Sequence, residues 1–188
     1  MDILLLGPPG AGKGTQGARL ATTLGVPKFA TGDLLRDAVA RQTPLGREAK
    51  AVMESGALVG DAIILGVIRD ELDRPEAAGG VIFDGVVRTI PQAEGMARML
   101  GERGRRIDHV LFFDVEDAEV AARLEKRRDI EGRVDDDPKA VLRRLQAYRE
   151  QTAPVLDFYA AKGVVHRLVA AGTVDQVQER VRQALKIT

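Results

Sequence analysis

The sequence predicts an α/β fold, a parallel five-stranded sheet with helices on both faces, and two observations carry that expectation. Apolar runs of strand length recur at residues 3–6, 81–83, 110–115 and 164–169, with a shorter one at 27–30, and helical periodicity follows the longer runs. Strands that alternate with helices need right-handed crossovers, which cover both faces of a parallel sheet and leave ligands to the carboxyl ends of its strands. The second observation is that the unusual residues gather at those ends. Residues 7–15 follow the first strand, 31–36 the possible second and 84–92 the third.

The first strand opens Met1-Asp2-Ile3-Leu4-Leu5-Leu6 and meets Gly7-Pro8 at once. That run is too short for a signal segment or a membrane span and reads as a buried strand. After the second strand the alternation breaks. From Asp33 to Asp73 helix follows helix, interrupted at Thr43-Pro44 and Ser55-Gly56, which predicts a small helical insert. Between the fourth strand and the end, residues 128–138 are dense in charge, contain Gly132 and read as a short exposed loop. A long helical pattern over 139–162 should bend at Pro154, because proline lacks the N–H for the helical bond and clashes with the preceding turn.

With 188 residues, 45% of them hydrophobic, the chain can bury one good core, so a single domain with small inserts is expected. Its 28 basic and 28 acidic residues cancel, which removes the global field that draws proteins to nucleic acid or anionic membrane; any bound anion needs a local cluster. The absence of cysteine excludes disulfides, thiolate zinc sites and cysteine nucleophiles, and is compatible with a cytoplasmic location.

Gly7-Pro8-Pro9-Gly10-Ala11-Gly12-Lys13-Gly14-Thr15 lies between a strand and a helical pattern, the setting a phosphate-binding loop requires. Glycines let the backbone curl so that several N–H groups point inward, and the helix N-terminus adds partial positive charge on the same spot. Lys13 can then reach the outer phosphates. A plain Gly-Pro turn would need neither so many glycines nor the lysine. Gly14 stands where many such loops carry the Ser or Thr that ligates magnesium directly. Magnesium is therefore expected on the nucleotide phosphates and waters, with Asp84 orienting those waters.

Four blocks taken together, Gly7 to Gln16, Thr31-Gly32-Asp33-Leu34-Leu35-Arg36, Asp84-Gly85 with Arg88, and Glu131-Gly132-Arg133-Val134-Asp135-Asp136, resemble adenylate kinases of the short-lid, nucleoside monophosphate kinase kind. The match spans nearly the whole chain. The resemblance implies a P-loop NTPase type of α/β fold in one domain, 1–188, with a core of 1–29, 60–125 and 137–188. The insert that binds the monophosphate would be 30–59 and the short lid 126–136.

It further implies reversible phosphoryl transfer from MgATP to AMP, with ATP at Gly10, Ala11, Gly12, Lys13, Gly14, Thr15, Arg123, Arg127 and the backbone of Gly172. AMP-contacting positions would be Thr31, Arg36, Met53, Ala57, Val59, Gly85, Val86, Arg88, Gln92, Arg133 and Arg144. Lys13, Arg88, Arg127, Arg133 and Arg144 would neutralise charge on the transferring group, since arginine forks bind phosphate oxygens in pairs and stay charged. Gln92 has an amide that both donates and accepts, as reading adenine requires. No general base is expected, because the attacking phosphate oxygen of AMP is already anionic; positioning and charge neutralisation remain.

Taken alone, the charged run 125–133 would be a solvated helix face, and Asp137 before Pro138 a helix start. Asp135 and Asp136 are expected to pair with lid arginines. Magnesium with ATP is the expected cofactor, and a structural zinc is not, because the lid has neither Cys nor His. ATP and AMP are the expected partners, with no nucleic acid or membrane, and the chain is expected to be a monomer. His109 and His166 carry no expected role, and Tyr148, Tyr159 and the phenylalanines read as packing.

One block departs from the family pattern. Adenylate kinases usually read Asp-Gly-Phe-Pro-Arg with a cis Phe-Pro bond, where this chain has Val86-Val87 between Gly85 and Arg88. The bond is expected either to turn trans and move Arg88 or to stay cis under strain, and the missing ring to thin the wall of the AMP pocket. Alternative readings are a CMP or UMP kinase on the same fold, which tends to have Ala where this chain has Thr31, or a nucleotide-binding sensor without transfer activity.

Overall fold

The computed structural model describes residues 1–54, 59–131 and 138–187, and within these the side chains outside 51–54, 117, 126–131, 138–140 and 144. Among the described residues the strands are β1 (Asp2–Leu6), β2 (Lys28–Ala30), β3 (Val81–Asp84), β4 (Ile107–Asp114) and β5 (Val165–Val169). They form a five-stranded sheet in the order β2-β3-β1-β4-β5, with every pairing parallel. The helices are α1 (Lys13–Leu24), α2 (Thr31–Ala40), α3 (Pro44–Glu54), α4 (Asp61–Leu72), α5 (Ile90–Gly101), α6 (Asp117–Glu131), α7 (Pro138–Ala147), α8 (Ala153–Ala160) and α9 (Val174–Leu185).

The expected sheet is present, and its faces explain the sequence pattern. In β1, Leu4 and Leu6 enter one core with Phe83 of β3 and residues of α2, α4, α5 and α8, while Ile3 and Leu5 enter another with Leu20 of α1 and Val177 and Val181 of α9. A strand covered on both faces has no exposed side, so it reads as a continuous apolar run. Each fully buried Leu or Ile contributes about 1.5–3 kcal/mol relative to an exposed one.

Three elements differ from expectation. β4 begins at Ile107, ahead of the apolar run, because its first residues pair with β1 although Asp108 and His109 are polar. α6 runs on to Glu131, so the charged stretch 128–131, expected as loop, is helix; the rest of the expected loop, 132–137, lies outside the described residues. The long C-terminal helix widens before its proline. α7 gives way to a π-helical turn over Tyr148–Thr152, and Pro154 sits in the first turn of α8. The ladder runs on through this turn, with the Ala153 N–H donating to the Tyr148 carbonyl, and the wider turn accommodates the bond that proline cannot make.

Candidate active site

The loop between β1 and α1 leaves the centre of the sheet. Gly10 and Gly12 take φ of 82° and 88°, the left-handed region where a side chain is strained, and this turns the backbone into α1. Beyond the loop lies β4: a Cβ at Gly7 would stand 2.7 Å from the carbonyl oxygen of Phe113, so the chain can pass only without a side chain. The Lys13 ammonium is folded back inside, donating to the carbonyls of Gly7 at 2.7 Å and Pro8 at 2.8 Å. These bonds hold a charged group at the loop's mouth, where phosphate oxygens would compete for its hydrogens.

Asp84 ends β3 beside this loop. A side chain at position 14 would meet Asp84 Oδ2 at 3.5 Å, and Lys28 Nζ lies 3.5 Å from the same oxygen. A carboxylate facing the start of α1 is the hard oxygen donor that fits a magnesium hydration shell. Gly14 leaves the space between them open. Lys28 was not legible as a site residue, since one lysine in a short strand carries no pattern.

On the other side of β3 the AMP-side candidates form one chain of hydrogen bonds. The Thr31 hydroxyl donates to the Gly85 carbonyl at 2.9 Å, and Arg88 Nε donates to the same oxygen at 3.0 Å. The Arg88 backbone N–H donates to Gln92 Oε1 at 2.7 Å, and Gln92 Nε2 donates to Asp61 Oδ1, also at 2.7 Å. Thr89 caps α5, its hydroxyl accepting from the Gln92 N–H at 3.2 Å and donating to Asp61 Oδ2 at 3.1 Å. Asp61 and Thr89 were missed. Thr89 ahead of Ile90-Pro91 carries a helix-start signal, but the partner of that cap is 28 residues away in sequence.

Arg36 lies on the exposed face of α2, paired with Asp33 one turn earlier. An exposed pair of this kind contributes little, so Arg36 is available to another anion. Val59 is half-buried against the main core. Val86 and Val87 are each 1% exposed and belong to that core. None of the described peptide bonds is cis, so the Val86–Val87 bond is trans rather than a strained cis bond.

At the end of β5, Arg123 of α6 reaches the Ala170 carbonyl at 2.6 Å and pairs with Glu119, which sets it beside the loop that carries Gly172. Gly172 has φ of 99°, and a Cβ there would stand 2.4 Å from Gln176 Oε1, an oxygen engaged in the capping box of α9. The same loop is tied to α1, because Gln16 Nε2 donates to the Val174 carbonyl at 2.8 Å. The side chains of Met53, Arg127 and Arg144, and all of Ala57, Arg133, Asp135, Asp136 and Asp137, lie outside the described residues. The two histidines meet each other, His109 Nδ1 to His166 Nε2 at 2.9 Å, on neighbouring strands. Desolvation first, and then the charge of His109, hold His166 below its ordinary pKa.

Among the described residues no cluster of three or more His, Cys, Asp or Glu could hold a metal, and no helix is long and apolar enough to cross a membrane.

Residues 5–164 match the family model described as adenylate kinase. Curated relatives named adenylate kinase include that of Gemmatimonas aurantiaca, 47% identical over the whole of both chains. That of Thermus thermophilus is 49% identical over 98% of this chain and 97% of its own. The Caulobacter vibrioides relative is 45% identical over 99% of this chain and 97% of its own. A loop curled around Lys13, an aspartate facing it from β3, and matches of this extent to the model and to full-length relatives agree: the chain belongs to the adenylate kinase family.

Proposed function

We infer that the chain performs the reaction of its family, phosphoryl transfer from ATP to AMP giving two ADP, in the cleft between the phosphate loop and residues 85–92. The observation that carries this is the pairing of two sites across β3: Lys13 inside a glycine loop on one side, and on the other the hydrogen-bonded series from Thr31 through Gly85 and Arg88 to Gln92. Both donors of positive charge would converge on the transferring group, Lys13 from the ATP side and Arg88 from the AMP side.

In this reading the N–H groups of residues 10–15 hold the ATP phosphates, and Arg123 with the backbone of Gly172 holds the adenine. Magnesium bound with ATP spreads the phosphates' charge, and the Asp84 carboxylate orients its waters. Thr31, Arg36, Gly85, Val86, Arg88 and Gln92 bind AMP together with Met53, Ala57 and Val59 of the insert. Arg127, Arg133 and Arg144 complete the charge neutralisation from the lid. The attacking oxygen of AMP needs no base, so the work of the chain is alignment and exclusion of water.

The domain division follows: a core of 1–29, 60–125 and 137–188, an insert of 30–59 that contains α2 and α3, and a lid of 126–136. Closure of insert and lid over the substrates would keep water from the transferring group; adenylate kinase lids are a standard case of such motion. The balanced charge supports action on small molecules rather than on nucleic acid or membrane, the lack of cysteine fits a cytoplasmic location, and the family resemblance points to a monomer.

Replacing the loop lysine tests the site. Lys13→Met should leave the thermal unfolding midpoint within about 2 °C and lower kcat by at least about a thousandfold, since the ammonium meets developing charge. Activity within tenfold of the parent would sink the assignment.

A further inference from the structure

The amide of Gln92 is buried, 3% exposed, and both of its ends are engaged by groups that allow one orientation only. A backbone N–H can only donate, and that of Arg88 meets Oε1 at 2.7 Å; a carboxylate can only accept, and that of Asp61 meets Nε2 at 2.7 Å. Turning the amide over would set oxygen against carboxylate and N–H against N–H. Asp61 is itself fixed, since its second oxygen accepts from the Thr89 hydroxyl, which also takes the Gln92 N–H. The amide has four hydrogen-bonding capacities, and these partners use two. One donor and one acceptor remain.

A donor and an acceptor on a rigid amide match adenine, whose pairing edge offers an acceptor at N1 and a donor at the 6-amino group. The same amide turned over would match a 6-oxopurine, with its donor at N1 and its acceptor at O6. We propose that Asp61 is a positioning residue for substrate selection: its carboxylate locks the Gln92 amide in the orientation that reads adenine and rejects 6-oxopurine monophosphates such as IMP and GMP. This rests on the assignment of Gln92 to the base of the acceptor nucleotide. Asp61 touches no substrate and acts only through Gln92.

The test compares kcat/KM for AMP with that for IMP, with ATP as donor. Asp61→Asn keeps the shape but offers either a donor or an acceptor, so it no longer opposes the turned amide. The AMP to IMP ratio should fall on the order of tenfold, with the KM for ATP unchanged. Equal losses with both monophosphates, leaving the ratio where it was, would mean that Asp61 only supports the fold and would overturn the proposal. Gln92→Leu separates the two layers: a ratio unmoved by that change removes Gln92 from the base altogether, whereas a collapsed ratio there with an unmoved ratio in Asp61→Asn removes only Asp61. Should Asp61→Asn fail to fold, Thr89→Val carries the test, because it keeps the carboxylate but frees one oxygen. A smaller fall in the ratio is expected, and an unmoved ratio overturns the proposal.

Discussion

Gly85 shows how much one residue gathers: its carbonyl accepts from both Thr31 and Arg88, so the end of β3, the start of α2 and the Arg88 side chain share one oxygen. Thr31, read from the sequence as a group near the base, is 9% exposed and spends its proton on that carbonyl. Its loss costs about 1 kcal/mol, and because the oxygen also positions Arg88, the cost should fall on the bound monophosphate. Thr31→Ala is accordingly expected to lower kcat/KM for AMP by about fivefold while leaving the KM for ATP unchanged. An unchanged kcat/KM for AMP would leave Thr31 as a tie within the fold and nothing more. At this scale the motif residues were legible because each has a chemistry that its neighbours lack. Asp61 and Lys28 were not, because an isolated carboxylate or ammonium gains meaning only from partners distant in sequence.

The β5–α9 connection is the element in which fold and site are least separable. Arg123 bonds the Ala170 carbonyl, Arg180 the carbonyls of Val169 and Ala171, and Gln16 that of Val174, so one short loop is held from α1, α6 and α9. Gly172 lies in the middle of it, with a backbone conformation that a Cβ would strain and a capping oxygen in the way. Gly172→Ala should therefore lower stability by about 1–2 kcal/mol and raise the KM for ATP severalfold while leaving that for AMP unchanged. Equal shifts in both would detach this loop from the ATP site.

Sheet and crossover helices were readable in sequence because burial on both faces writes an apolar run. The run 128–131 misled because charge density resembles a loop, although arginine and glutamate are also good helix formers. The widened turn ahead of Pro154 appeared a few residues early because the strain of a proline falls on the turn before it.

At the scale of the whole molecule, the histidine pair of β4 and β5 makes one contribution to how stability responds to pH. His166 has a lowered pKa in the folded state, so the unfolded chain takes up its proton first as the pH falls. The contribution of His166 is complete above about pH 6.5, declines from there to the depressed folded value and levels off below it. Denaturant midpoints should drop between pH 7.5 and pH 5.5, and His166→Phe should remove part of that slope; an identical slope in the variant would assign the loss to other groups.

The proposed reaction needs two nucleotide sites, one on either side of β3, with different tenants. The most direct measurement mixes the protein with MgATP and, in turn, AMP, CMP, UMP and GMP, and follows the diphosphates formed. Rapid formation of two ADP for each AMP consumed is expected, with the other monophosphates slower by at least about a hundredfold. Faster turnover with CMP or UMP, or no diphosphate from AMP, would contradict it.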